Sequence, residues 1–323
     1  MFGPNPSELY DFYRSWYARG VAVSHDRAAQ RRVASGGRTI TFEIAGPPDG
    51  MPVFLFHGTP GSSSGPRPRS IVLHRLGVRL ISYDRPGYGG SSRREHRRVV
   101  DAVEDVDILA DHLGLRRYGV VGRSGGGPHA LAVAARRADE VVAAAVLVTI
   151  APADAAGLDW YSGMTAHNVN EYKTADSSSS ALTEMIRLRA ERIRRDPDSL
   201  IDDLREEMRD TDKRIVDDLS IRRLLARTYA EALRSGPFGW IDDALALRGD
   251  WGFEPQEVKT PVRLWHGADD NFSPVSHTQW LAKRLQRCEV QVQSGAAHFG
   301  AVEILPEMLG WLRSKEDATA AVR

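Results

Sequence analysis

The stretch that most constrains this chain is Tyr118-Gly119-Val120-Val121-Gly122-Arg123-Ser124-Gly125-Gly126-Gly127-Pro128-His129-Ala130-Leu131. It reads as a short buried strand, a one-residue corner and a helix. The corner spells Gly-x-Ser-x-Gly at Gly122, Ser124 and Gly126. A serine on such a corner points its hydroxyl into the cleft above a parallel sheet, and small neighbours let strand and helix approach closely. In a chain with 29 glycines the motif alone says little. Its setting says more: Val120 and Val121 supply the strand, and Ala130, Leu131, Val133 and Ala134 supply an apolar helical stripe. The competing readings are an idle serine in a glycine loop or a phosphate cradle. The cradle would need Gly-x-x-x-x-Gly-Lys-Ser/Thr, and no lysine is near. The order Gly-x-Gly-x-x-Gly of a nicotinamide site is also missing from 122–127.

The rest of the chain supplies the sheet. Residues 7–20 read as a helix capped by Ser7, with Leu9, Phe12, Tyr13, Trp16 and Tyr17 on one face. Ile40, Phe42 and Ile44 alternate in a half-buried strand over 38–45. Val53-Phe54-Leu55-Phe56 is apolar throughout, as a central strand of a parallel sheet should be. A strand over 78–83, a helix over 101–113 and a strand over 141–150 follow. Strands alternating with helices predict a doubly wound, mostly parallel α/β sheet.

From 152 to 249 there is no strand signal, only charged amphipathic segments at 181–195, 198–209 and 213–235, after a serine-rich loop at 177–180. A helical block between strands reads as a cap over the cleft, its many charges as a solvated face. The expected organisation is therefore a core in two parts, 1–151 and 250–323, around a helical cap at 152–249. The second part carries a strand over 261–266, a helix over 275–285, a last strand over 288–292 and a closing helix over 303–312, with a frayed polar tail after 314.

Lys+Arg and Asp+Glu both number 43, so the chain has no general pull toward nucleic acid or an anionic membrane. The single cysteine, Cys288, rules out an internal disulfide and reads as a small buried filler in a strand. No leader-like or membrane-length apolar run is present, and a cytoplasmic protein acting on a small molecule is expected.

A serine nucleophile needs a base and a group that orients the base. His298, in Ser294-Gly295-Ala296-Ala297-His298-Phe299-Gly300, lies between the last strand and the last helix, at the sheet edge where ligands bind. The acid should follow a strand and precede the histidine. Asp270, in Trp265-His266-Gly267-Ala268-Asp269-Asp270, is preferred to its neighbour Asp269, with Asp154 a more distant rival. The backbone amides of Thr59 and Gly125 are the expected oxyanion donors. His57 reads as a brace for the glycine loop rather than as a catalyst. Trp160, Tyr161, Met164, His167, Tyr172, Phe238 and Trp240 could line an acyl pocket or form the cap's own core.

Taken together, His57-Gly58-Thr59-Pro60-Gly61, Asp84-Arg85-Pro86-Gly87-Tyr88-Gly89, Gly122-Arg123-Ser124-Gly125-Gly126, Gly267-Ala268-Asp269-Asp270 and His298 resemble the α/β-hydrolase-fold superfamily. The resemblance is to its capped bacterial branch of proline iminopeptidase-like and esterase-like proteins. It implies an acyl-serine mechanism on Ser124, Asp270 and His298, with no cofactor and no metal. Carboxylic esters are the expected substrates, with an iminopeptidase or a lyase as the alternative. The peptidases carry His-Gly-Gly-Pro-Gly, and Thr59 departs from that pattern. An aminopeptidase would also need carboxylates to capture an ammonium group, for which Glu171, Glu184 and Glu231 are the candidates.

Overall fold

The computed structural model describes residues 29–320. The helix expected over 7–20 lies outside the described residues, as does the end of the tail. The strands are β1 (Arg31–Ser35), β2 (Arg38–Ala45), β3 (Met51–Phe56), β4 (Val78–Tyr83), β5 (Tyr118–Arg123), β6 (Val141–Leu147), β7 (Val262–Gly267) and β8 (Cys288–Gln293). They form one sheet in the order β1-β2-β4-β3-β5-β6-β7-β8. β1 pairs with β2, and β2 with β4, antiparallel; the neighbours from β4 to β8 pair in parallel.

Alternation within the apolar strands explains why helices cover both faces. Phe54, Phe56 and Val120 point to one side, where they pack with Val106 and Leu109 of α2 (Ala102–Leu113) and Leu131 of α3 (Gly126–Arg136). Val53, Leu55 and Val121 point to the other, toward Leu73 of α1 (Ser70–Leu76) and Leu309 and Leu312 of α11 (Gly300–Ala320). Between β6 and β7 lie α4 (Ala166–Ser177), α5 (Ser179–Arg195), α6 (Ser199–Glu207), α7 (Asp210–Val216), α8 (Leu219–Ala232) and α9 (Phe238–Arg248). These helices share a core around Leu182, Ile186, Leu225 and Ile241 that also takes in Tyr88, Phe272 and Phe299 from the loops above the sheet. α10 (Val275–Ala282) then leads to β8.

Several expectations need local correction. The helix expected over 213–235 is two helices, because the Asp218 carboxylate accepts hydrogen bonds from the amides of Ser220 and Ile221 and starts a new one. The serine-rich loop shrinks to Ser178, whose hydroxyl caps the amide of Ala181. The closing helix runs on to Ala320 rather than fraying after 314, with Arg313 and Asp317 paired one turn apart at 2.9 Å. Cys288 is half-buried on the edge strand rather than a core filler, and burial pushes its thiol up to about 11.

Trp265 of β7 shows how the frame supports its upper edge. It is 1% exposed, and its Nε1 donates to Gln293 Oε1 at 3.2 Å. It also lies against Gly300 at the start of α11. Trp265→Ala is expected to cost about 3–5 kcal/mol, read as a lower urea midpoint at unchanged m.

Candidate active site

The elbow is built by close approach. Ser124 has a φ of +53°, a conformation that costs a non-glycine residue energy and is held by its surroundings. Its amide donates to Leu147 O at 2.9 Å, and its carbonyl accepts from the Gly127 amide at 2.9 Å. A Cβ on Gly126 would lie 2.3 Å from Phe56 O, and one on Gly125 would lie 2.4 Å from Thr59 Oγ1. Only glycine lets β3, the Thr59 loop and α3 meet at this point.

Asp270 and His298 come together at the ends of β7 and β8. His298 Nδ1 and Asp270 Oδ2 are 2.8 Å apart. Assigning the proton to Nδ1 lets it donate to the carboxylate and leaves Nε2 free to accept one. The other carboxylate oxygen accepts from the amides of Phe272 and Ser273 at 2.8 and 3.0 Å. Burial alone would raise the Asp270 pKa. The imidazoles of His298 and His266 and their hydrogen bonds outweigh it and hold the carboxyl well below its usual range. Asp269 and Asp154 are both exposed, so neither is placed as Asp270 is.

Ser124 and His298 line one cavity. Among the described residues no hydrogen bond joins the two side chains, a contact that commonly tightens only around substrate. Gly58, Thr59 and Pro60 line the cavity from the sheet side, and His167, Glu171, Tyr172, Leu200, Leu204, Tyr229 and Trp240 from the inserted helices. Of the aromatic candidates, His167, Tyr172 and Trp240 thus face the cavity. Trp160 instead packs edge-on against Tyr172 and His277, and Phe238 is exposed beneath the Arg93 guanidinium.

The Thr59 and Gly125 amides have no hydrogen-bond partner among the described residues, which leaves both available to a ligand. The Thr59 side chain has a separate task. Its hydroxyl donates to Asp243 Oδ2 at 2.7 Å. Asp243, on α9, is fully buried and also accepts from Arg85, from Arg97 at 2.6 Å and from the Tyr88 hydroxyl at 2.9 Å. Burial would raise its pKa, but Arg85 and Arg97 reverse that and hold it well below the usual range. Arg85 extends the clamp by donating to the carbonyls of His57 and Gly58. His57 is the expected brace: its Nε2 accepts from the Arg85 amide at 3.2 Å and its Nδ1 faces Gly58 O at 2.8 Å. Burial and Arg85 push the His57 pKa well down, keeping the ring neutral.

Sequence reasoning assigned no role to Asp243 or to Asp212. Asp212, on α7, accepts from the amides of His298 and Phe299 at 3.0 and 2.7 Å. The inserted helices therefore hold the loop that carries His298. Burial raises the Asp212 pKa to about 6 against the lowering effect of His298 and the two amides. For Asp243 a signal existed: an acidic pair within the apolar run Trp240-Ile241-Asp242-Asp243-Ala244-Leu245 requires cationic partners if the helix is buried.

Of the three carboxylates considered for ammonium capture, only Glu171 lines the cavity. It is already engaged, accepting from Arg189 at 2.9 Å and from Trp240 Nε1 at 2.8 Å. Glu184 pairs with Arg187 on an exposed face, and Glu231 accepts from Gln30. Among the described residues no cluster of His, Cys, Asp or Glu is placed to hold a metal ion, and no helix is long and apolar enough to cross a membrane.

The family model for the alpha/beta hydrolase fold matches residues 51–303, and the chain belongs to that family. A bifunctional esterase/perhydrolase from Acinetobacter calcoaceticus is 31% identical over 117 residues, 36% of this chain and 42% of that protein. A proline iminopeptidase from Xanthomonas citri is 36% identical over 102 residues, 30% of this chain and 32% of the relative. The chain thus spans less than half the length of these curated relatives. A hydrolase structure from Pseudomonas aeruginosa PA01 superposes with a TM-score of 0.65 at 16% identity, covering 90% of this chain and 99% of the other, which is a likeness of fold.

Two outcomes test the supports of the site. Asp243→Ala leaves Arg85 and Arg97 buried without their carboxylate and is expected to cost about 3–5 kcal/mol in urea unfolding. Asp212→Ala tests linkage. A carboxyl whose folded pKa lies above its unfolded value of 3.8 costs stability once ionised, so that cost is absent below about pH 4 and complete above pH 6. The stability advantage of wild type over Asp212→Ala should therefore shrink as pH rises from 4 to 7, measured as the difference between their unfolding free energies.

Proposed function

We propose that this protein is a serine hydrolase that cleaves carboxylic esters through an acyl-Ser124 intermediate. The observation that carries the reading is the 2.8 Å pairing of His298 Nδ1 with buried Asp270, at the wall of the cavity that also holds Ser124. In this reading His298 Nε2 takes the Ser124 proton as Oγ attacks the carbonyl carbon. The tetrahedral oxyanion accepts from the Thr59 and Gly125 amides. The C–O bond to the alcohol then breaks, and His298 returns the proton to the leaving oxygen. Water, deprotonated by His298, attacks the acyl-enzyme and releases the acid. Asp270 keeps the imidazole in the accepting tautomer and stabilises the imidazolium. The inserted helices, about 152–249, act as a cap that excludes water and shapes the acyl site.

The charge inventory of the cavity supports esters over N-terminal prolyl amides. An aminopeptidase needs an unpaired carboxylate for the substrate ammonium, and Glu171 is already neutralised by Arg189. Thr59, which stands where the peptidases carry glycine, is committed through its side chain to Asp243.

Ser124→Ala should retain the fold, lose labelling by an organophosphonate and lose roughly 10⁶ in kcat on p-nitrophenyl butyrate. Asp270→Asn should cost about 10⁴, with Asp269→Asn and Asp154→Asn much milder. Proline β-naphthylamide should be a poor substrate for the wild type. A kcat/KM favouring that amide over the ester would move the protein to the iminopeptidase reading.

A further inference from the structure

Arg123 immediately precedes Ser124 and ends β5. It lines two cavities at once. One is the cavity that holds Ser124 and His298. The other is a narrow one on the α11 side of the sheet, walled by Leu55, Leu147, Ala301 and Leu305 with Ser62 and Ser82. Alternation along β5 explains the second contact, because Arg123 shares the face of Val121, which packs toward α11.

Its electrostatic setting differs from that of several other enclosed arginines. Arg85 and Arg97 share Asp243, Arg67 holds Glu43, Arg189 holds Glu171 and Arg248 holds Asp176. Among the described residues Arg123 has no carboxylate partner and no side-chain hydrogen bond. Burial lowers its pKa, and only Tyr229, across the catalytic cavity wall, acts in the opposite sense. The other ionisable groups on that wall do not answer its charge. Glu171 is paired with Arg189, and burial and Arg189 hold His167 down at about 4, hence neutral. Arg123 is half-buried, and a guanidinium that lines a cavity with no carboxylate beside it is open to an anion; its planar fork of donors matches a carboxylate.

We propose that Arg123 is a specificity-determining residue that binds the free carboxylate of an anionic ester, the substrate class being monoesters of short dicarboxylic acids. This rests on the ester-hydrolase reading and narrows it. The ester carbonyl sits at Ser124, and the acyl chain turns past the elbow so that its far carboxylate meets Arg123. The reaction consumes one water, breaks the ester C–O bond and releases the dicarboxylate and the alcohol. The apolar walls take the methylenes between the two ends, and Arg123 touches no reacting atom.

The test compares monomethyl glutarate with dimethyl glutarate, which differ in charge but scarcely in shape, and measures glutarate binding to Ser124→Ala protein by calorimetry. The wild type should favour the monoester in kcat/KM by roughly ten- to a hundredfold, the scale of a charge-assisted hydrogen-bonded pair. Arg123→Met should erase that preference, and Arg123→Met in the Ser124→Ala background should lose glutarate binding. Arg123→Lys should keep part of both, having the charge without the fork. The preference is a ratio within each protein, so a general loss of activity from disturbing the elbow cancels. Wild-type turnover of both esters without preference, or a preference that survives Arg123→Met, overturns the anion site and leaves the hydrolase reading standing. Arg123-dependent glutarate binding with neither ester turned over supports the anion site and overturns the ester reading. Neither binding nor turnover overturns the proposal.

Discussion

A single buried carboxylate underlies the upper edge of this sheet. Asp243 sits at 0% side-chain exposure, yet four donors converge on it: Arg85, Arg97, Tyr88 and Thr59. Isolated, such a charge would be intolerable in the interior; with two guanidiniums and two hydroxyls it becomes a fixed node. The β4 loop enters through Arg85, the β3 loop through Thr59, and the inserted helices through α9 itself. Arg85 also ties the carbonyls of His57 and Gly58, so the β3 loop is fixed from its backbone as well as its side chain. The Thr59 amide owes its fixed direction to this node, which is the preorganisation that the proposed oxyanion role requires.

The elbow adds a steric constraint to this electrostatic one. Ser124 holds a positive φ because strand β5 and helix α3 are both fixed by burial on the two faces of the sheet. The proposed nucleophile and the proposed oxyanion donors therefore belong to one rigid body. The proposed base does not. His298 stands on a loop after edge strand β8, fastened by Asp270 below and by Asp212 from the inserted helices.

The sheet was legible because its strands carry local, periodic signals. The β2 and β4 expectations match Arg38–Ala45 and Val78–Tyr83 residue for residue, since alternation and continuous apolar runs leave little choice. The Gly-x-Ser-x-Gly corner was legible for the same reason, as strand, corner and helix are contiguous. β1 went unread because Arg31-Arg32-Val33-Ala34-Ser35 is mostly exposed and has no buried face to print a pattern. The split between α7 and α8 depends on one side-chain cap at Asp218. The Asp243 node is harder still: its links to Thr59 and Arg85 span 184 and 158 residues, and no single sequence displays such a pairing. Arg123 was in plain view within the motif. What could not be read was that no carboxylate among the described residues would pair with it.

The attachment of Asp212 has a consequence for how a protein of this architecture can diversify. The insertion is not an interchangeable module laid over a finished frame. One of its short helices supplies the acceptor for two amides of the loop bearing His298. Exchanging the insertion wholesale for a foreign one would orphan those amides and loosen that loop, whatever pocket the newcomer brought. Heritable change is thereby channelled to individual wall positions such as Leu200, Leu204 and Tyr229, which face the cavity while the fastening stays in place.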